Sequence, residues 1–233
     1  MPIVTLIRHG QAGMRDNYDV LSETGVRQAR LLGDWLKARS DGFDAVISGG
    51  LERQRQTAVL AFDGAASDIE VDPGWNEFDL DAVFDAIVPR LAEADPGFGK
   101  RYAALQEEVA RGGPAIHREW RPADGEVVIA WVMDRFGEIE GIESWQAFRD
   151  RIIGALYSLN GMKDNARAAV FTSTLPASIV VAEALGLDSG AVLSLAATMH
   201  NTGITVIRLA GGKADLVSFN ATGHLRDELL TLR

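Results

Sequence analysis

The stretch Ile3–Gly10, IVTLIRHG, decides how the rest of the chain is read. Ile3 to Ile7 form a short continuous run rich in β-branched side chains, the pattern of a strand buried on both faces. The run then breaks into Arg8-His9-Gly10, so a strand of this kind ends by presenting a guanidinium and an imidazole together.

Working outward, LSETGVRQARLLGDWLKAR (21–39) reads as a helix with Ser22 or Thr24 near its start and Val26, Ala29, Leu32 and Leu36 at helical spacing. FDAVIS (43–48) is a second strand. LERQRQTAVLAF (51–62) is a second helix, entered through Gly49-Gly50. Strand and helix alternating at short intervals predict βαβ units and a mostly parallel sheet. The alternation resumes with the strand RAAVFTST (167–174) and the helix PASIVVAEALG (176–186). GITVIRLA (203–210) and KADLVSFN (213–220) then predict a hairpin closed by a GGK turn.

The middle of the chain, about 79–161, is patterned differently. WQAFRDRIIGALYSL (145–159) places Trp145, Phe148, Ile152, Leu156 and Leu159 on one helical face, and DPGFG (95–99) and RGGPA (111–115) punctuate the block. GEVVIAWVMDRF (125–136) fits helix or strand by period alone, and its setting favours helix. Trp131, Trp145 and Phe148 are expected to form the core of this block. The expected architecture is one α/β domain over residues 1–233: three layers, with a mostly parallel central sheet, helices on both faces, and a helical cap insertion at about 79–161 that roofs a site.

The whole-chain numbers agree with a globule. The 233 residues are 47% hydrophobic, with a mean hydropathy of +0.01. Formal net charge is −10, which argues against nucleic acid as a partner, since binders of phosphate backbones need a basic face. A small phosphorylated substrate held by a few focused arginines remains compatible. The chain has no cysteine, which excludes disulfides, thiolate metal sites and cysteine nucleophiles. No apolar run approaches the roughly 20 residues of a membrane-spanning helix. The N-terminal apolar stretch is short for a signal peptide and lacks a basic leader. No membrane partner, no cofactor and no metal are expected, and a cytoplasmic setting is the default; oligomeric state is left open.

In an open α/β sheet, ligands bind beyond the carboxyl ends of the strands. RHG lies at that end of the first strand and SGGLERQRQTA (48–58) at that end of the second. GWNEF (74–78) follows the third strand candidate, IEVD (69–72), and FTSTLP (171–176) ends the next central strand. Four segments distant in sequence are therefore expected to converge. Arginines grip a phosphate with forked, charge-assisted hydrogen bonds. A histidine among them is pushed toward its neutral form. A neutral imidazole is a competent nucleophile toward phosphorus, and a carboxylic acid nearby can protonate the leaving alkoxide.

These segments resemble the histidine phosphatase superfamily, to which the cofactor-dependent phosphoglycerate mutase belongs. RHG matches its opening signature, and SGGLERQRQTA is similar to its Ser-x-x-Leu-x-Arg-x-x-Gln-Thr-Ala run. LSETGVRQARLLGDWL resembles its first helix. The resemblance implies His9 as nucleophile, Arg8 and Arg53 as phosphate ligands and Glu77 as proton donor, with Arg55, Asp79 and Asp81 as the neighbouring competitors. It also implies a second histidine where this chain reads FTSTLP, putting Ser173 at that register with Thr172 and Thr174 beside it. A serine donates one hydrogen bond and no charge; losing one preorganised donor costs about 10²–10³-fold in turnover. His200 is a candidate to compensate, and Gln11 and Asn17 are weaker candidates for substrate contact. The implied activity is metal-independent phosphomonoester hydrolysis through a phosphohistidine. The alternatives are a phospho-ligand binding protein with weak or no turnover and, lower, a phosphoglycerate-type mutase.

Overall fold

The computed structural model describes residues 1–13, 18–39, 42–63, 68–111 and 122–232. Asn17 and residues 112–115 of the RGGPA punctuation lie outside them.

The described residues form two compact units, one drawn from within 1–13, 18–77 and 150–232 and the other from within 78–149. The first unit is built on a six-stranded sheet. Its strands are β1 (Ile3–Arg8), β2 (Ala45–Ser48), β3 (Glu70–Val71), β4 (Arg167–Thr172), β5 (Ile204–Ala210) and β6 (Lys213–Ala221), in the spatial order β3-β2-β4-β1-β5-β6. β1, β2, β3 and β4 pair in parallel, with Arg8 level with Thr172 and Ser48 level with Phe171. β5 and β6 add an antiparallel edge, and their turn uses Gly211 and Gly212 at φ +58° and +77°. Only glycine takes two successive positive φ values at no steric cost, which is why GGK makes a tight hairpin.

Helices α1 (Glu23–Ala38) and α2 (Glu52–Phe62) cover one face of this sheet. Ser22 starts α1 by accepting a hydrogen bond from the Gly25 amide at 3.1 Å. Leu32, Leu36, Ala58 and Ala61 pack on Ile7, Ala169 and Phe171. Because side chains alternate along a strand, Leu6, Ala168 and Val170 face the other way, where α7 (Thr174–Leu185) packs against β1. The three layers and the mostly parallel sheet are as expected. β3 is shorter than IEVD suggests, because only Glu70 and Val71 reach β2. β4 stops at Thr172, since Ser173 already flanks the next helix. Helix α8 (Ser189–Thr198) has no forecast in the sequence: SGAVLSLAAT is all small or apolar residues and shows no helical stripe.

The second unit is helical where described, with α3 (Leu80–Ala94), α4 (Pro96–Ala110) and α5 (Pro122–Val132). Asp79 and Asp95 cap α3 and α4 by accepting from Ala82 and Gly97 amides. GEVVIAWVMDRF is helical over most of its length. Its core is aromatic: the Trp131 ring stacks on Phe78 at 4.7 Å and meets Trp145 edge-on at 5.3 Å, with Phe148 fully buried beside them. The chain leaves this unit along α6 (Trp145–Ser158).

Candidate active site

His9 follows the last residue of β1 and is buried. Its backbone is clamped on both sides. The His9 amide donates to Thr172 O at the end of β4, and its carbonyl accepts from Asn201 Nδ2 at 3.1 Å. The Thr202 amide donates to Arg8 O at 3.0 Å, with Thr202 held at φ +55°. That left-handed conformation is costly for a β-branched residue and persists only where the surroundings impose it.

The ring is oriented as tightly as the backbone. His9 Nδ1 lies 2.7 Å from Gly10 O, an acceptor only, so Nδ1 carries the proton and donates it there. Arg53 Nε donates to His9 Nε2 at 3.2 Å, so Nε2 presents a lone pair. Burial holds the imidazole well below its ordinary pKa; the nearby charges of Arg53 and Arg8 push the same way, and the Gly10 carbonyl opposes them. The site therefore contains a neutral imidazole with a defined tautomer.

Two features of the local sequence build this geometry. A Cβ on Gly10 would meet the Gly25 carbonyl at 2.7 Å, so a glycine lets the loop after β1 lie on the start of α1. Thr57 Oγ1, one turn into α2, accepts from the Gly10 amide at 3.0 Å and donates to Arg53 O. Thr57 belongs to the quoted Gln-Thr-Ala run, and only the fold shows what it holds.

Arg53 projects from the first turn of α2. Besides His9 it donates through Nη1 to Asp19 Oδ1 at 2.9 Å, and its guanidinium lies 4.9 Å from the Tyr18 ring centre. Asp19 Oδ2 also accepts the Glu52 amide at 3.1 Å, so one carboxylate spans the arginine and the helix start. Arg55, the competing cation, instead lies beside Glu52 on the exposed side of α2. Arg8 differs from Arg53. Its Nη1 and Nη2 donate to the backbone carbonyls of Met199 and Leu232, while its buried Nε has no protein acceptor among the described residues. Burial lowers the Arg8 pKa to about 10, which leaves it charged at neutral pH.

Glu77 ends a loop that is anchored on every side. Arg151 Nη1 donates to the carbonyls of Pro73, Gly74 and Asn76, each at 3.1 Å. Thr172 Oγ1 donates to Trp75 O at 2.7 Å, and the Gly50 amide donates to Asn76 Oδ1 at 2.6 Å. Glu77 Oε2 itself accepts the Leu175 amide at the start of α7, at 3.2 Å. Of its competitors, Asp79 caps α3 and Asp81 is exposed in the first turn of that helix.

Ser173 is buried, and its Oγ accepts from Gln54 Nε2 at 2.9 Å. The structure thus brings His9 and Arg53 into direct contact and sets Ser173 beside α2 through Gln54. His200 goes elsewhere: its ring nitrogen Nδ1 pairs with Asn220 Nδ2 at 3.2 Å, on β6. Gln11 is likewise engaged, by Ser22 and Gln28 on α1. Gln54, Thr57, Asp19, Asn201 and Thr202 escape a reading of the sequence because their roles depend on partners far along the chain, 192 positions for Asn201 and His9. Among the described residues no group of three His, Asp or Glu side chains is placed to hold a metal ion. No described helix is long and apolar enough to cross a membrane.

The family model described as histidine phosphatase superfamily (branch 1) matches residues 4–113 and 86–222. A bifunctional protein of Mycobacterium tuberculosis is 31% identical over 118 residues, which are 48% of this chain and 32% of that protein. The chain thus spans about a third of the first curated relatives it matches. A Salmonella newport protein named "Probable phosphoglycerate mutase GpmB" is 25% identical over 197 residues, 81% of this chain and 77% of its own. Among solved structures, a mutant phosphoserine phosphatase from Entamoeba histolytica in complex with phosphoserine superposes with a TM-score of 0.61 at 20% identity, covering 97% of this chain and all of its own. The alpha-ribazole phosphatase from Shigella flexneri gives 0.61 at 20% identity, over 94% and 96% of the two chains.

Proposed function

Because the chain belongs to branch 1 of the histidine phosphatase superfamily, we propose that it is a metal-independent phosphomonoester hydrolase that works through a phosphohistidine at His9. The observation that carries this reading is the state of the imidazole. With Nδ1–H committed to Gly10 O, the Nε2 lone pair is held 3.2 Å from the guanidinium that would receive the phosphoryl group.

In this reading a phosphomonoester takes over the Nε–H of Arg53, freeing the Nε2 lone pair to attack phosphorus. The Nε2–P bond forms as the P–O ester bond breaks, and the leaving alkoxide takes the proton of the Glu77 carboxylic acid. Water then attacks the phosphohistidine, its proton passes to the Glu77 carboxylate, and inorganic phosphate and neutral His9 are regenerated. Arg53, the Nε of Arg8 and the Ser173 hydroxyl supply donors to the phosphoryl oxygens. The net charge of −10 supports a small phosphorylated substrate over a nucleic acid or an anionic membrane.

The test is acid-labile phosphoenzyme formation and a burst of alcohol release with p-nitrophenyl phosphate, followed by phosphoserine, alpha-ribazole phosphate and phosphoglycerates as substrates. His9→Ala is expected to lose the phosphoenzyme and at least about 10³-fold in turnover; wild-type hydrolysis by that variant would refute the mechanism. The uncharged Ser173 favours one alternative, a phospho-ligand binding protein, which predicts tight phosphate binding without release from any ester. The likeness to mutase-named relatives favours another, which isomer formation from a phosphoglycerate would reveal.

A further inference from the structure

Ser173 flanks the start of α7, where a serine hydroxyl ordinarily accepts a backbone amide of the first turn. Here it does not. The third residue of that turn is Pro176, which has no N–H, and the Leu175 amide is taken by Glu77. The hydroxyl is therefore released from capping, and it is 1% exposed.

Its partner is Gln54, which is fully buried one residue beyond Arg53. The Gln54 amide group donates through Nε2 both to Ser173 Oγ at 2.9 Å and to Trp75 O at 3.3 Å, while its Oε1 accepts the Leu51 amide at 3.2 Å. Reversing the carboxamide would set Oε1 against the Trp75 carbonyl and turn the NH₂ toward the Leu51 N–H. The neighbours thus dictate which end faces the serine. The space is also prepared, since a Cβ on Gly49 would lie 2.1 Å from Gln54 Oε1. A hydroxyl has one proton and two lone pairs. Gln54 uses a lone pair, and among the described residues no acceptor takes the proton.

We propose that Gln54 is a positioning residue that commits the Ser173 hydroxyl to donate its proton to a phosphoryl oxygen. The inference rests on the reading that Ser173 lines the phosphate site. In that case a polar pair from α2 and the start of α7 supplies an oriented neutral donor where a charged one is absent. An apolar residue at 54 would leave the hydroxyl free to rotate and point its proton at Trp75 O or elsewhere. A carboxylate there would take the proton itself.

The experiment measures inorganic phosphate binding by calorimetry, and kcat and KM on p-nitrophenyl phosphate, for wild type, Ser173→Ala, Gln54→Met, Gln54→Glu and the double variant Gln54→Met with Ser173→Ala. Hydrogen bonds to charged groups predict a loss of about 10-fold in phosphate affinity for each single neutral change. The double variant is expected to lose no more than Ser173→Ala, because the two residues act through one proton. Gln54→Glu is expected to be worse than Gln54→Met, with the fall mainly in kcat. Additive losses, or a folded Gln54→Met that binds phosphate as wild type does, would overturn the inference. Should the buried substitution prevent folding, the side-chain amide resonance of Gln54 serves in its place. It is expected to move when phosphate is added to wild type and to stay still in Ser173→Ala; an unmoved wild-type resonance at saturating phosphate overturns the proposal. Binding that depends on Gln54 without phosphohistidine formation would refute the hydrolase and leave this inference standing. Hydrolysis through His9 with indifferent Gln54 variants would do the reverse.

Discussion

Arg53 at rest gives its Nε–H to an imidazole and an Nη1–H to a carboxylate, so an anion that takes those two donors competes with both. The Asp19 partner is 52% exposed, so its hold on Nη1 is screened and weak. Asp19→Asn removes a charge that competes with phosphate. Exposed pairs are worth about 0.2–1 kcal/mol, so phosphate affinity is expected to rise about 2–5-fold, with the gain shrinking at high salt. Calorimetry at two ionic strengths checks it; unchanged or weaker binding would show that Asp19 does not oppose the ligand. At this scale the sequence was legible for the pairing of His9 with Arg53, because an imidazole in RHG and a guanidinium in the Arg-x-x-Gln-Thr-Ala run follow the carboxyl ends of the parallel strands β1 and β2 and meet there. It was less so for Arg8. Position alone does not reveal that two of its nitrogens are spent on carbonyls of Met199 and Leu232.

The elements matter through what they anchor. The loop 73–77 has little regular structure beyond a single 3-10 turn, yet it is held by α6 through Arg151, by β4 through Thr172 and by the start of α7 through Leu175. Arg151→Met removes the first of these holds on the loop that carries Glu77. A general acid matters most for poor leaving groups. The variant is therefore expected to lose about 10-fold or more in kcat on alkyl phosphates and little on p-nitrophenyl phosphate. Equal losses on both would place the effect on phosphate binding instead. Most elements follow from local pattern: β1 from its β-branched run, α1 from its capped helical stripe, and the β5–β6 turn from its glycines. Helix α8 was not foreseen because its run of alanine, leucine, glycine and serine carries no stripe of polarity, only a fit against α7.

Across the whole molecule, residues 229–231 return to the backbone at the end of β1. Gln28 Nε2 donates to Leu229 O and Thr231 Oγ1, and Thr231 Oγ1 donates to Asn201, which holds the His9 carbonyl. His224 joins this region. The Thr202 hydroxyl donates to Asn201 O, so it accepts from His224 Nε2, and among the described residues the buried Nδ1 has no hydrogen-bond partner. Burial lowers the His224 pKa to about 4 from an ordinary 6.5. The unfolded chain therefore binds a proton at a pH where the folded chain does not, and stability present above pH 6.5 is lost as pH falls toward 4. The full shift corresponds to about 3 kcal/mol at most. His9, also depressed, acts in the same direction. The lowered carboxylates Asp63, Asp95 and Asp164 start from 3.8 and lose their contribution below that pH, outside this window. Urea midpoints between pH 7 and 4.5 are expected to fall steeply in wild type and more gently in His224→Gln; parallel slopes would remove His224 from the account.

By itself the sequence determined the layered α/β plan, the helical middle and the identity of a histidine and arginine at strand and helix ends. Those features are written in local periodicity, turn chemistry and motif spacing, which neighbours within a dozen residues can express. Only the tertiary structure decided which imidazole nitrogen carries the proton, which arginine faces it, and that Gln54 rather than His200 meets the Ser173 position. Each depends on hydrogen-bond donors and acceptors far apart along the chain, whose meeting is set by sheet order and packing.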